Sequence, residues 1–493
     1  MTLGTRIRTG VAWLLFGNTG GAVIQFLFGI ALARLLVPAD FGMIATIQIL
    51  TGLVSLVSSA GMGQSLIRAK SAEPRDFDVV FTLQLGFGVL ICAALFAVAP
   101  WFARFFDNAL YADLLKVSAL NFLLRPFANI RAAWLNREMN FKRAAVAGLT
   151  TALVSSGASV AMAFGGLGVW SLSLGGLVAA MTTNVVLYRL TPLRLKLRFD
   201  SRIARQHGVF GFNITMLDLL SHVRTESITL VLSKLAGPAF LGLFNKAENL
   251  ARMPNRMITP ATGQVVFRAL AKVADDIPQS KYIMYRTVTL LSVYAWPFLL
   301  ALAFVAEPLI VFLYGEKWRP AAEPARILAI GGFFLTMLRP CSVLLHAQNR
   351  LRQEMVVLVI SIVFGLVACY LGLRWGLAGV AWAIVSTHLL SLVLTYGVVR
   401  MTIPTTLAEL ARAVAPAAIL VGLTFIAAAL LHFAIAGLAL SAPFLYLAMM
   451  GSVGGAVYAA AFLLLPIPAL RGEGDRWRRQ VAILLEKVGL RRR

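Results

Sequence analysis

Residues 33–42 read ARLLVPADFG, and residues 233–242 read SKLAGPAFLG. Position for position the two share a small residue, a base, Leu, then Pro-Ala and a closing Gly. Each joins the end of one apolar run to the start of the next, so the pair marks the same hairpin in two copies of a repeat. Further along, Leu124-Arg125-Pro126 recurs as Leu338-Arg339-Pro340, each followed some ten residues on by Asn-Arg, at 136–137 and 349–350. Gly168-Val169 before Trp170 recurs as Gly379-Val380 before Trp382. Order is kept, and the offsets lie near 200–214 residues. Six apolar runs separate equivalent points, and an even number preserves orientation across a bilayer. The halves are therefore expected to be related by a pseudo-two-fold axis along the membrane normal, an arrangement that transporters use.

The composition requires lipid. The 493 residues are 59% hydrophobic and 13% charged, with a mean hydropathy of +0.81. Soluble domains are about 45–50% apolar and about 25% charged. A spanning helix needs about 20 mostly apolar residues. About 14 such runs are centred in 11–34, 41–66, 78–102, 111–135, 143–164, 167–190, 209–233, 240–262, 284–314, 323–346, 354–373, 377–399, 412–434 and 443–465. The fold class expected is an all-α polytopic membrane protein of about 14 transmembrane helices. Two six-helix bundles, 1–190 and 209–400, are joined by a basic linker at 191–208. Two additional helices follow in 401–470, then a basic tail at 471–493. The apolar run after Arg6 and Arg8 is too long for a signal-peptide h-region and reads as a retained first span.

Charge sets the orientation. The formal net charge is +24, from 45 Lys+Arg against 21 Asp+Glu. The bases sit between apolar runs rather than in a nucleic-acid-binding patch, so no nucleic-acid partner is expected. With the N-terminus in the cytoplasm, the dense groups Arg137, Lys142 and Arg143, the six bases from Arg189 to Arg205, and Arg268, Lys272 and Lys281 all lie inside, as the positive-inside rule asks. Trp101, Trp170, Trp318 and Trp375 then fall near the outer boundary, as interfacial aromatics do. Both termini are expected in the cytoplasm of a bacterial inner-membrane protein. In the tail, Trp477, Val481, Leu484, Leu485 and Val488 share one helical face among arginines. They read equally as a helix lying on anionic lipid and as a solvated tail.

Ionisable residues inside spans are costly and mark pathways or partners. On the seventh run Thr215, Asp218, His222, Thr225 and Thr229 share a face at 100° per residue, with Glu226 at its edge. The eighth carries Asn245, Asn249, Arg252 and Arg256 on one stripe, flanked by Glu248. The first adds Asn18 and Gln25, and the second Thr51, Ser55, Ser58 and Ser59. Matched polar stripes on equivalent helices suggest a hydrophilic cavity. Arg125 and Arg339, each beside a helix-distorting proline, read equally as cavity residues and as staples within a bundle. The excess of bases suits an anionic substrate such as a pyrophosphate, which Arg binds bidentately. Arg252, Arg256, Asn249, Asn245, Arg125, Arg339, Asn18 and Gln25 are thus the candidate substrate contacts. Asp218, His222 and Glu226 either pair with those bases or carry protons.

Enzyme chemistry is missing from the pattern. There is no Walker A loop, His-Glu-x-x-His, Cys-x-x-Cys or nucleophile elbow, so neither ATP hydrolysis nor a metal or other cofactor is expected. Cys92, Cys341 and Cys369 lie in apolar segments without paired spacing and read as small buried side chains. His388 and His432 read as packed or partnered.

GIALARLLVPADFGMIATIQIL at 29–50 resembles the first two spans of bacterial Wzx-type polysaccharide flippases. So do Ala60-Gly61-Met62-Gly63 leading to Leu66-Ile67-Arg68, LNREMNFKR at 135–143, LGLFNKAENLARMPNRMITP at 241–260 and GEKWRPAAEPARILA at 315–329. The resemblance covers essentially the whole chain and is nearest the exopolysaccharide and colanic-acid-like branch. It implies a two-lobed fold of the multidrug/oligosaccharidyl-lipid/polysaccharide superfamily, with 12 core spans and two extra. The implied activity moves undecaprenyl-pyrophosphate-linked oligosaccharide between leaflets for exopolysaccharide, O-antigen or capsule. The implied partners are that lipid-linked oligosaccharide, membrane lipid, and polymerase and export proteins. At Arg224-Thr225-Glu226 the chain departs from relatives, which look more like Arg or Asn followed by Asp. The alternatives are a cation-coupled small-molecule exporter or a peptidoglycan-precursor flippase. A membrane-embedded glycan polymerase would need a large outer loop, and the longest outer connections have only about ten residues.

Overall fold

A computed structural model describes residues 3–59, 62–68 and 73–487; among helical residues, the side chains of Asp218, Arg224, Thr225 and Arg256 lie outside the described set. The described residues form helices and connections, with no strand among them. In chain order the helices are α1 (Leu3–Leu35), α2 (Pro38–Ser59), α3 (Met62–Arg68), α4 (Pro74–Phe105), α5 (Leu110–Ala119), α6 (Asn121–Arg137), α7 (Phe141–Phe164), α8 (Trp170–Leu190) and α9 (Ser201–Leu235). They continue as α10 (Gly237–Lys272), α11 (Ile277–Tyr314), α12 (Ala322–Ala347), α13 (Leu351–Gly372), α14 (Gly376–Thr402), α15 (Leu407–Ile435), α16 (Leu438–Ser441), α17 (Pro443–Leu464) and α18 (Arg471–Lys487).

Ten segments among the described residues are long and apolar enough to cross a membrane, and that at Leu351–Thr402 holds both α13 and α14. The expected crossings at 111–135, 209–233 and 240–262 are not among the ten. The first is divided at Leu120, where the turn tightens and Leu120 N–H bonds Val117 O at 3.3 Å. The other two lie in α9 and α10, many of whose residues at 209–225 and 256–264 fall outside the described side chains.

The chain divides into two compact units, Met1–Leu243 and Phe244–Arg493. In the first, α1 packs along α7, where Gly10, Gly17 and Gly20 meet Phe141, Ala145 and Leu149. Small residues at such crossings let helix backbones approach in lipid, where no hydrophobic force drives association. Its main core gathers Met43, Ile47, Leu95, Tyr111, Leu114 and Phe122 from α2, α4, α5 and α6. The repeated hairpins meet here. A Cβ on Gly42 would overlap the Pro238 carbonyl, and one on Gly242 would overlap the Pro38 carbonyl. Beside them Lys234 Nζ donates to the Phe105 carbonyl and pairs with Asp107 Oδ2 at 3.0 Å.

The second unit packs α11 on α12, α12 on α14, and α15 and α17 on α11. A capping box opens α15: Thr406 Oγ1 accepts from Glu409 N–H, and Glu409 accepts from Thr406 N–H at 2.9 Å, satisfying two otherwise orphaned donors. Lys281 of α11 pairs with Glu409 at 2.6 Å, and the Tyr285 hydroxyl donates to Glu409 at 3.4 Å, which fastens α15 to α11. In α18, Trp477 Nε1 donates to Tyr294 Oη at 3.1 Å and Arg286 of α11 pairs with Glu473 at 3.6 Å. The side chains of Val481, Leu484, Leu485 and Val488 lie outside the described set.

Two sequence readings change. The Asn-Arg pairs are not equivalent: Arg137 closes α6, whereas Arg350 precedes α13. The structural match is Met139 with Asn349, both left-handed at φ 52 and 55. In each, the next N–H reaches back to Leu135 or Leu345, the helix ending that satisfies terminal carbonyls. Nor is Trp318 a surface aromatic. It is wholly buried, while Trp101 and Trp375 are exposed.

Candidate functional site

In the first unit the polar residues converge on one turn of α2. Arg125 of α6 donates through Nη1 to Ser55 Oγ, with its guanidinium also 5.5 Å from the Phe122 ring centre. Three residues earlier on α2, Gly52 receives the imidazole of His222 from α9; a Cβ there would lie 2.8 Å from His222 Nε2. Among the described residues, His222 Nε2 is buried without a hydrogen-bond partner, as is Thr215 Oγ1 two turns away. A buried polar atom left unbonded costs about 1–3 kcal/mol, so its retention calls for explanation. Glu226, one turn beyond His222, is half-buried. Other residues of the α2 stripe turn inward on their own helix: Thr51 Oγ1 donates to the Ile47 carbonyl at 2.9 Å. Asn18 and Gln25 are exposed on α1. Asp218, Arg224 and Thr225 fall outside the described side chains.

In the second unit the α10 stripe is tied internally. Asn249 Nδ2 donates to Asn245 Oδ1 at 2.5 Å, and Arg252 pairs with Glu248 at 3.0 Å. Asn255 Nδ2 is buried without a partner, and the Arg256 side chain is not described. Arg339 lies on α12 and His388 on α14, helices that pack on each other in this unit. Gly331 makes room for that ring: a Cβ would lie 3.1 Å from His388 Nδ1. Sequence reading passed over His388 because its neighbours arrive from two distant helices. Lys246 leaves this group, its ammonium 4.9 Å from the Tyr314 ring centre and 5.6 Å from that of Trp318. His432 is partnered, with Nδ1 2.9 Å from Tyr446 Oη. Among the described residues no group of three His, Cys, Asp or Glu is placed to hold a metal.

A family profile described as "Polysaccharide biosynthesis protein" matches residues 31–323. The lipopolysaccharide biosynthesis protein WzxC of Escherichia coli (strain K12) is 24% identical over 366 residues, 71% of this chain and 72% of that protein. The succinoglycan biosynthesis transport protein ExoT of Rhizobium meliloti (strain 1021) is 24% identical over 336 residues, covering 68% and 67%. Among solved structures, the lipid II flippase MurJ in an inward closed conformation matches with a TM-score of 0.67 at 15% identity, covering 91% of this chain and 97% of that one. An inward-facing multidrug resistance MATE family transporter matches with a TM-score of 0.61 at 14% identity, covering 77% and 94%. These two likenesses concern the fold.

Proposed function

Because the chain belongs to the polysaccharide biosynthesis protein family, we propose that it is a flippase for undecaprenyl-pyrophosphate-linked oligosaccharide. It moves the repeat unit from the inner to the outer leaflet by alternating access, and the protein makes or breaks no covalent bond. The observation that carries this reading is the family match over residues 31–323, joined by relatives named for polysaccharide transport. The arginines within the apolar runs, Arg125, Arg252 and Arg339, add chemical support. A pyrophosphate crossing a low-dielectric layer needs fixed positive charge and many donors, which guanidinium supplies in a planar fork.

In this reading Arg252, Arg256, Arg125 and Arg339 contact pyrophosphate. Asn245, Asn249, Asn18 and Gln25 contact glycan hydroxyls. Asp218, His222 and Glu226 form the coupling group. The protein resides in a bacterial inner membrane with both termini in the cytoplasm, and hands its product to a polymerase and export proteins.

Chromosomal deletion tests the function. It is expected to stop polymer export and to leave undecaprenyl-linked repeat units on the inner leaflet, both reversed by the gene in trans. Normal export from a deletion strain without a second flippase refutes it. Altered susceptibility to cationic drugs with unchanged polymer points instead to a small-molecule exporter.

A further inference from the structure

At one end of the second unit, the α11–α12 and α13–α14 connections enclose a recess of about 360 Å³ lined by Glu307, Arg319, Glu323, Arg326, Trp375 and Leu377. None of these is among the candidate transport contacts. Each connection turns at a left-handed glycine, Gly315 at φ 94 and Gly376 at φ 65, where any side chain would be strained. The segment Glu316–Ala321 is pinned by the wholly buried Trp318. The walls are therefore built, and the recess is not a gap between loose loops.

Its chemistry is specific. Glu307 accepts from Arg326 Nη2 at 3.4 Å and forms an ion pair with Arg319, whose Nε lies 3.4 Å away. Charge-assisted pairs close at about 2.7–2.9 Å, so both arms stand open and retain donor and acceptor capacity. Arg326 Nε is buried without a partner. Arg319 also holds Glu316 at 2.6 Å. Two carboxylates (Glu307, Glu323) against two arginines among the lining residues give no excess of positive charge for a phosphate. The two arginines in turn oppose an organic cation. Trp375 completes the recess, its side chain 71% exposed. Planar carboxylate and guanidinium forks bond vicinal hydroxyls, and an indole face covers the C–H face of a sugar ring. Small-molecule sites occupy about 300–1,000 Å³, so this one takes a short segment of glycan and not a whole repeat unit.

We propose that this recess is a saccharide-binding site for a short, uncharged stretch of oligosaccharide, stacked on Trp375 and held by the Glu307–Arg326 fork. Its place in transport, receiving glycan at the outer face, rests on the flippase reading and its topology; the binding itself does not.

Full-length protein in detergent micelles is titrated calorimetrically with oligosaccharides released by mild acid from the host's own surface polymer, separated into neutral and acidic fractions. Saturable binding of the neutral fraction is expected. Trp375→Leu and Arg326→Gln should each weaken it by about tenfold, the scale of one lost contact in a binding site, while Trp375→Phe keeps most of it. Thermal melting should be unchanged in the Trp375 variants. Absence of saturable binding, binding of the acidic fraction alone, or undiminished binding by a folded Trp375→Leu protein overturns the proposal. Lost export on deletion without saccharide binding refutes the recess and leaves the flippase. Binding together with normal export from the deletion strain does the reverse.

Discussion

Gly42 and Pro238 meet backbone to backbone, and Gly242 meets Pro38 in the same way. Each hairpin thus offers its proline carbonyl to the other's glycine, and Gly242 also approaches the Gly42 amide. The recurrence of Pro-Ala-x-x-Gly in the sequence is a matched pair of steric requirements. Both sides of each contact are backbone, so neither can yield by a rotamer change.

Gly42→Ala and Gly242→Ala are therefore expected to lower stability by about 1–3 kcal/mol, the usual cost of overpacking, and to reduce transport together with it. Melting in detergent, with export at matched abundance, measures both. An alanine at either position with unchanged melting and export would show that the helices part freely there.

His222 separates function from packing. Its Nε2 is buried and unbonded against Gly52, so His222→Leu removes an unsatisfied polar atom at similar volume. Relief of a penalty of about 1–3 kcal/mol should leave melting unchanged or higher, while export falls severalfold if His222 belongs to the proposed coupling group. A more stable protein with full export would assign His222 to the core.

Most of the fold was legible because lipid imposes run length and charge asymmetry so strictly. Pro38, Gly42 and their repeats could be read since proline and glycine carry backbone meaning in themselves. The break at Leu120 could not: nothing in the local sequence forbids helix, and the tightened turn follows from burying Tyr111, Leu114 and Leu115. Trp318 misled for a related reason. A tryptophan near a span end reads as an interfacial anchor, and only tertiary packing reveals it as a core residue. The candidate site was half legible. Arg125, Arg252 and Arg339 stood out as charges in apolar runs, whereas His388 and the Glu307–Trp375 recess depend on neighbours from separate connections.

Orientation has a direct chemical test. Cys92, Cys341 and Cys369 are buried and should give little background with an impermeant thiol reagent. Ser201 and Gln480 are exposed and expected inside, while Lys317 is exposed and expected outside. In intact cells, Lys317→Cys should label, and Ser201→Cys and Gln480→Cys should label only after permeabilisation. The reverse pattern would invert the topology.

The last prediction concerns Arg252, which has a partner on its own helix in Glu248 at 3.0 Å. Two roles follow from that contact. Arg252 either neutralises Glu248 within the spans, or it contacts pyrophosphate while Glu248 holds its guanidinium in place. Single substitutions do not separate them, since Arg252→Gln strands a carboxylate in either case, and uncompensated charges are costly. A double-mutant cycle does, because residues in contact reveal their coupling as non-additivity. Glu248→Gln/Arg252→Gln removes both charges and keeps amide groups on both side chains. If neutralisation is the role, the double variant should regain most of the export lost by Arg252→Gln. If Arg252 binds substrate, the double variant should regain abundance and melting temperature but stay defective in export per molecule. Arg252→Lys should then be intermediate, since charge survives while the bidentate fork is lost. The flippase reading expects the second outcome, and full export from the well-expressed double variant would remove Arg252 from the substrate path.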